Sequence, residues 1–293
     1  MSASVLYDAP GPITRRRSRV TSIIGTVVIL AILAWFIYTI AAPRTLANGA
    51  TVVGLLDASR FDILSDPQLW QAVGRGLVQT LKMAAVGGAL ALVIGVLFSF
   101  GRTARSAAVR VPTAVVLEFL RGMPVLLMML FILLVFATGS YWAGVVALAV
   151  YNGALIGEIL RAGIQSLPRG QREAGLAIGL TPVHTRMIIE FPQAFRQMLP
   201  ILVAQLVVLL KDTSLAYIVG YPELLRTVTN LGNFYGSRYT FTLFFIAFVI
   251  YLTMNLLLSW FARRLARRSG GRAAALARMP GAGMGTGAPG GGA

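Results

Sequence analysis

An all-α integral membrane fold is what this sequence predicts. Three observations carry it: long uncharged apolar runs, too little charge to cover a water-soluble surface, and cations gathered at the ends of the runs. Of 293 residues, 57% are hydrophobic and 12% are charged, against roughly a quarter charged in soluble domains. The formal net charge of +16 would, in a soluble protein, raise nucleic acid as a partner. Here Arg15-Arg16-Arg17-Ser18-Arg19 and Arg263-Arg264-Leu265-Ala266-Arg267-Arg268 flank apolar runs, where cytoplasmic membrane loops carry their cations. Membrane lipid is therefore an expected partner and nucleic acid is not. The chain has no cysteine and one histidine, His184. That excludes a disulfide framework, thiolate chemistry and an ordinary metal site, and no cofactor is expected.

The elements follow in chain order. Residues 1–20 form a basic N-terminus. Thr21 to Ala42 has no charge and exceeds the apolar core of about 7–15 residues found in signal peptides; it reads as an uncleaved span, with a signal sequence as the alternative. Residues 43–70 form an external connection with room for a short helix. A helix needs roughly 20 apolar residues to cross about 30 Å of hydrocarbon. The runs near Ala72–Phe100, Pro112–Ala137, Trp142–Gly163, Arg196–Val219 and Tyr239–Ala262 qualify, giving six spans in all. With the N-terminus inside, Arg102, Arg105, Arg110, the Arg161–Arg196 region and the basic tail fall on the cytoplasmic side, and Asp57, Asp62 and Asp66 fall outside, as the positive-inside rule requires. Tyr141, Trp142, Tyr235 and Tyr239 then lie at external helix ends, where amphipathic rings collect. Residues 264–293, mostly Gly, Ala and Pro from 270 onward, read as a disordered cytoplasmic tail.

Between the fourth and fifth spans, the loop from 161 to 192 divides by local rules into two short helices. Pro168 suits a first helical turn, Gly179 suits the left-handed residue that ends a helix, and Thr181-Pro182 reads as an N-cap and first position. Pro192 is expected to close the second helix. The first helix pairs Arg169, Arg172 and Glu173 with the small residues Ala174, Gly175 and Ala177. Small residues let a partner backbone approach and flanking charges orient it; an amphipathic helix resting at the lipid headgroups fits the same pattern.

Glu173-Ala174-Gly175, Gly179, Ile189 and Phe191-Pro192 resemble, in identity and spacing, the EAA loop of permease subunits of type I ATP-binding-cassette importers. Gly175 stands where that loop usually has alanine and Phe191 where it has leucine, both within the size class. Glu118-Phe-Leu-Arg-Gly-Met-Pro124, Glu158-Ile-Leu-Arg-Ala-Gly-Ile-Gln-Ser-Leu-Pro-Arg-Gly-Gln171 and Leu209-Leu-Lys-Asp-Thr-Ser-Leu215 are similar to the polar-amino-acid branch of those permeases, a likeness covering residues 71–263. It implies a five-helix core to which Thr21–Ala42 is an added N-terminal span. The added span and Val5–Pro12 are similar to the longer glutamate permeases of actinobacteria, so glutamate is the favoured substrate. The resemblance further implies a bacterial plasma-membrane subunit working with two ATPase subunits, a second permease subunit of the same or a related kind, and an external solute-binding protein. By the same resemblance Arg172, Glu173, Ala174, Gly175 and Gly179 belong to the coupling helix that docks on the ATPase. The absence of GxxxxGK[ST] agrees with a chain that does not itself hydrolyse ATP.

A transport path needs polar groups inside apolar helices, and such groups are functional candidates by default. Lys211, Asp212, Thr213 and Ser214 interrupt the fifth run, Glu118 and Arg121 precede Pro124 in the third, Glu158 and Arg161 end the fourth, and Lys82 lies on the second. Each set also fits a structural ion pair or a snorkelling chain; Glu158 with Arg161, close to the interface, fits the structural role better. For an anionic substrate, Lys211 and Arg121 are the carboxylate-recognition candidates. Gly153 and Gly157 allow close packing inside the subunit or across a dimer. An ion-driven secondary transporter or exporter would point to itself through paired broken helices in related halves, which the sequence lacks. A membrane anchor without a path leaves the mid-span polar residues unexplained.

Overall fold

The computed structural model describes residues 11–45 and 51–277. Residues 1–10, with most of Val5–Pro12, and residues 278–293 of the expected tail lie outside the described residues. Helix α1 (Pro12–Ala41) opens on a proline at its first position and carries the arginine run within the helix, ahead of the expected start at Thr21. None of its most apolar stretch is buried, so it stands beside the bundle. Its C-terminal end is tied down where the Leu55 amide donates to Ile40 O (2.9 Å) and Gly54 sits where a Cβ would come within 1.9 Å of Ala41 O.

The connection after α1, expected on the external side, holds more regular structure than one short helix. Strands β1 (Arg44–Thr45) and β2 (Thr51–Val52) pair antiparallel, Arg44 opposite Val52, and two 3₁₀ turns follow at Ala58–Arg60 and Asp62–Ser65. Buried Arg60 fixes the segment: its guanidinium donates to Gly54 O (2.9 Å), Val53 O (2.9 Å) and Arg238 O, while its own carbonyl accepts from Thr242 Oγ1 (2.8 Å).

Helix α2 (Pro67–Arg102) starts earlier than Ala72 because Asp66 accepts from the Gln68 amide (2.8 Å) and Pro67 takes the first position, a capping arrangement that fixes the helix start. It packs against α5 (Gly139–Gln165) through interlocking glycines. A Cβ on Gly95 would lie 2.4 Å from Ile156 Cγ2, on Gly153 2.6 Å from Ile94 Cγ2, and on Gly157 2.8 Å from Phe98 Cβ. Gly153 and Gly157 thus serve packing inside the subunit, where close backbone approach replaces the hydrophobic drive that lipid cannot supply.

The expected single span Pro112–Ala137 is two helices, α3 (Ala107–Gly122) and α4 (Val125–Phe136), meeting at 102°. Met123 precedes a proline and is extended, as that position prefers, and Pro124 has no amide to continue the ladder. The loop helix α6 (Arg169–Ala177), the single turn α7 (Pro182–His184), a π-helical segment (Thr185–Glu190) and α8 (Phe191–Asp212) come next. Pro192 does not close a helix: the chain runs on through it. The Phe191 amide reaches back to Arg186 O, the wider π spacing, so the register shifts just where proline lacks a donor.

Two further departures concern the C-terminal third. Helix α9 (Leu224–Tyr235) lies between the last two spans and packs on α2 and α10 (Thr240–Ala277). Helix α10 continues to Ala277, so residues 264–277 are helical where the tail was expected to be disordered; arginine and alanine are strong helix formers. One core cluster includes Met83, Met129, Leu148, Ile156, Leu160 and Leu209. A second includes Ile63, Leu69, Val73, Leu224, Val228 and Leu243, at the end of the bundle that carries Asp62 and Asp66.

Candidate functional site

The loop between α5 and α8 is a helix-turn-helix at the arginine-rich end of the bundle. Helix α6 ends in a Schellman arrangement, with the Leu180 amide donating to Gly175 O (3.1 Å) and the Gly179 amide to Leu176 O (3.0 Å). Gly179 takes φ +85°, which a residue without Cβ adopts at no steric cost. Thr181 then caps α7, accepting from the His184 amide (3.3 Å). Gly175 is buried against the returning segment: a Cβ there would lie 2.6 Å from Thr185 Cγ2 and 2.9 Å from Ile189 Cδ1. Its side of α6 is therefore closed to any partner, contrary to the reading of Gly175 as part of a docking face. Arg172, Glu173, Ala174 and Ala177 are exposed. Gln193 Nε2 donates to Gln171 Oε1 (3.1 Å) and joins α6 to the start of α8.

Beside this loop the ends of α2 and α5 meet. Arg161 Nε donates to both oxygens of Glu158 (2.9 Å each), its NH2 group also bonds Glu158, and its NH1 reaches Gln165 Oε1 (2.6 Å). Arg102 Nε stands 3.9 Å from the same carboxylate. Glu158 is therefore the anionic hub of a fixed cluster. Glu118 and Arg121 pair at 3.5 Å just before the α3–α4 break, with Glu118 largely exposed. A cavity of about 570 Å³ separates the α2–α3 turn from the loop, lined by Arg102, Arg110, Arg172, Arg186, Glu173 and Glu190 among others.

Deeper in the bundle, Gln205 Nε2 donates to buried Asn152 Oδ1 (2.9 Å), joining antiparallel α5 and α8. Lys211 lies six residues beyond Gln205 and Glu158 six residues beyond Asn152 in the opposite direction, so the two levels are about 18 Å apart along the helices. Arg121 lies within the electrostatic reach of Glu158 and hence belongs to the arginine-rich level. Lys211 and Arg121, the two carboxylate-recognition candidates, thus lie at different levels of the bundle. Lys211 is exposed and Asp212 half-buried, while buried Thr213 donates to Leu210 O (2.6 Å) and Ser214 to Lys211 O (2.8 Å). Lys211, Asp212 and Ser214 line a cavity of about 660 Å³ together with Phe244, Phe248 and Tyr251 of α10.

Residues 87–270 match the family described as binding-protein-dependent transport system inner membrane component. The chain belongs to that family. This permease is 37% identical over 224 residues to the glutamate transport system permease protein GluD of Corynebacterium glutamicum, covering 73% of this chain and 81% of that protein. It is 34% identical over 212 residues to the glutamine transport system permease protein GlnP of Escherichia coli, covering 68% and 95%. Among solved structures, an amino acid ABC transporter with histidines aligns with TM-score 0.64 and 28% identity over 71% of this chain and 98% of that one. The MetNI methionine transporter, at TM-score 0.59 and 20% identity over 70% and 99%, shares the fold.

Several polar residues of the permease carry no signal that the sequence reading used. Glu223 is fully buried at the start of α9, accepting from the amides of Leu225 (2.8 Å) and Arg226 (2.7 Å) and from the Tyr251 hydroxyl (2.8 Å). An acidic residue opening the amphipathic stretch Leu224–Tyr235 is an N-cap signature that would have located both residue and helix. The ring residues Tyr235 and Tyr239 donate to Asp66 (2.5 Å) and Asp62 (3.1 Å) and hold the connection between α1 and α2 on the bundle.

Proposed function

We propose that this permease is the membrane-spanning subunit of an ATP-driven importer of polar amino acids, with glutamate the favoured substrate. It works with two ATPase subunits, a second permease subunit and an external solute-binding protein, and its termini are cytoplasmic. The observation that carries the coupling role is the construction of the loop. The buried face of α6 at Gly175 is locked to the π segment, while Arg172, Glu173 and Ala174 face outward and Glu173 forms no ion pair among the described residues. A rigid knob with an unpaired carboxylate suits a groove with basic rims on the ATPase. Movement of that knob passes through Gln171–Gln193 to α8 and so to Lys211–Ser214, the proposed path residues of this helix; Glu118 and Arg121 are the proposed path residues at the arginine-rich level.

The test is reconstitution in proteoliposomes with the ATPase and the binding protein. Glutamate uptake that requires ATP and both partners is the expected result, and uptake by the permease alone under an ion gradient would sink the reading. Glu173→Ala should lower recovery of the ATPase with the detergent-solubilised permease while leaving insertion intact; undiminished, stoichiometric co-purification removes α6 from the docking role. Lys211→Ala complexes that assemble and hydrolyse ATP should lose uptake, and unchanged affinity and rate would take Lys211 out of the path.

A further inference from the structure

We infer that one face of α2, carrying Gln71, Arg75, Gln79 and Lys82, is a wall of the substrate path whose two cations select amino acids with an anionic side chain. This rests on the import function proposed above. The four residues fall at intervals of four, four and three along the helix, the spacing that stacks side chains on one face. The other faces of α2 are taken: a Cβ on Gly76 would lie 2.6 Å from Thr227 Oγ1 of α9, and on Gly95 2.4 Å from Ile156 of α5. Gln71, Arg75 and Lys82 are exposed and Gln79 is half-buried. Val78 and Leu81 are exposed beside these four, and further along the same face the residues become Ala85, Ala89 and Val93, so the stripe carries its polar groups up to Lys82 and is apolar beyond it.

That change of character decides what each half faces. Lipid satisfies the Ala85–Val93 half, but it offers nothing to a guanidinium, two amides and an ammonium. With 36 residues α2 is about 54 Å long, some 24 Å more than the hydrocarbon core. With the excess shared between the two ends, Lys82 lies about 10 Å inside that core, too deep for an open lipid face to be its resting place. The stripe is already joined to polar neighbours: the Tyr221 hydroxyl donates to Gln79 Oε1 (2.8 Å), and Lys82 Nζ lies 5.0 Å from the centre of the Tyr141 ring. Neither Arg75 nor Lys82 has an ion pair among the described residues. A cavity of about 580 Å³, lined by Gln71, Gly74, Arg75, Val78 and Gln79, opens on the stripe with no acidic residue in its lining. A wall open to water, with two unpaired cations and no carboxylate in the cavity lining, attracts a net anion over a zwitterion, and the seven-residue offset from Arg75 to Lys82 sets the two cations about 10 Å apart along the axis.

The chain has no cysteine, which permits a direct test in the reconstituted complex. Arg75→Cys, Gln79→Cys and Lys82→Cys should react with a membrane-impermeant thiol reagent, and Ala89→Cys and Val93→Cys should not; equal silence at all five positions overturns the proposal. Lys82→Met should lower radiolabelled glutamate uptake per ATP hydrolysed about tenfold, the scale of one charge-assisted contact, with Lys82→Arg restoring it. Uptake and hydrolysis falling together, without rescue by arginine, would show a structural role and sink the inference, as would unchanged glutamate uptake. A wild-type complex that imports glutamine but not glutamate also overturns it while leaving the import function standing. A wild-type complex that imports no polar amino acid sinks the import function instead.

Discussion

At the end of the bundle that carries Asp62 and Asp66, the buried charged side chains Arg60 and Glu223 are satisfied inside the subunit; at the arginine-rich end the exposed Glu173 is not. Glu223 is fully buried with three donors on its carboxylate, and Arg60 is buried with three carbonyls on its guanidinium. Glu173 is exposed and unpaired among the described residues, and Arg172 beside it is exposed as well. Burial without partners is costly, so internal pairing marks groups that hold the fold. Exposure beside a rigid, packed helix leaves a group free for the partner chain proposed above. Two glutamates of one permease therefore have opposite expected phenotypes.

The largest effect tests that contrast. Glu223→Ala removes an N-cap and leaves the Tyr251 hydroxyl without its acceptor, a loss of about 2–4 kcal/mol. It should appear as early loss of monodisperse protein on heating in detergent. Glu173→Ala should change stability by less than about 0.5 kcal/mol while weakening ATPase recovery. Similar thermal profiles for the two variants would break the distinction between an internal and an external carboxylate.

A smaller effect sharpens where the internal region ends. Gly175 lies on the same helix as Glu173 but faces inward, with 2.6 Å available between a new Cβ and Thr185 Cγ2. Gly175→Val should cost about 1–3 kcal/mol by overpacking and should separate α6 from the π segment, lowering uptake per ATP hydrolysed. Ala177→Val, at an exposed position of the same helix, should leave stability unchanged within about 0.5 kcal/mol. If the two substitutions cost the same, α6 is not divided into a packed and a free face.

The same division explains which features were legible in the sequence. The spans announced themselves by length and charge, and the α6 turn by Gly179, Thr181 and Pro182, because those residues act through local backbone preferences. The break at Met123–Pro124 was written in the sequence as a proline, yet hydropathy continues through it from Val115 to Phe136 and hides the change of direction. Pro192 gave the opposite error. Proline forbids one hydrogen bond, and the π segment before it absorbs that loss without ending the helix. Gly175 was read as part of an open face because helical spacing says which residues share a side, not which side is covered. Glu223 and Arg60 escaped because burial of a charge depends on partners 28 and 178 residues away, the donating Tyr251 hydroxyl and the accepting Arg238 carbonyl.

Removing the proline is a gentler probe of the arginine-rich end. Pro192→Ala restores an amide at the π-to-α junction, so stability should rise or hold within about 1 kcal/mol. The informative readout is coupling: an α8 free to close its regular ladder changes the angle at which α6 is held, and uptake per ATP should fall while ATP hydrolysis continues. Unchanged coupling would show that the π segment only accommodates the proline.

The smallest expected effect belongs to the Asp66–Tyr235 contact, which lies outside the membrane-crossing segments and joins the connection between α1 and α2 to α9. The Tyr235 hydroxyl bond, and then the Gln68 amide, hold the Asp66 carboxyl below its ordinary value near 3.8, and the bond to Asp66 pushes Tyr235 from 10.0 up to about 12. A lowered carboxyl pKa gives stabilisation that is present above the unfolded value and lost as pH falls through the folded one. A raised tyrosine pKa gives stabilisation that is present below 10 and lost as pH rises through about 12. The contact should therefore be intact from neutral pH to about 10 and weaken at both extremes. Tyr235→Phe should flatten the alkaline limb of the stability profile between pH 10 and about 12 and raise the Asp66 pKa toward its ordinary value. Both groups face water, which keeps the change small, so limited proteolysis of the 43–66 connection is a more sensitive readout than global melting. Wild-type and Tyr235→Phe proteins cleaved at the same rate at neutral pH would show that Arg60 and the Tyr239–Asp62 bond suffice to hold the connection in place.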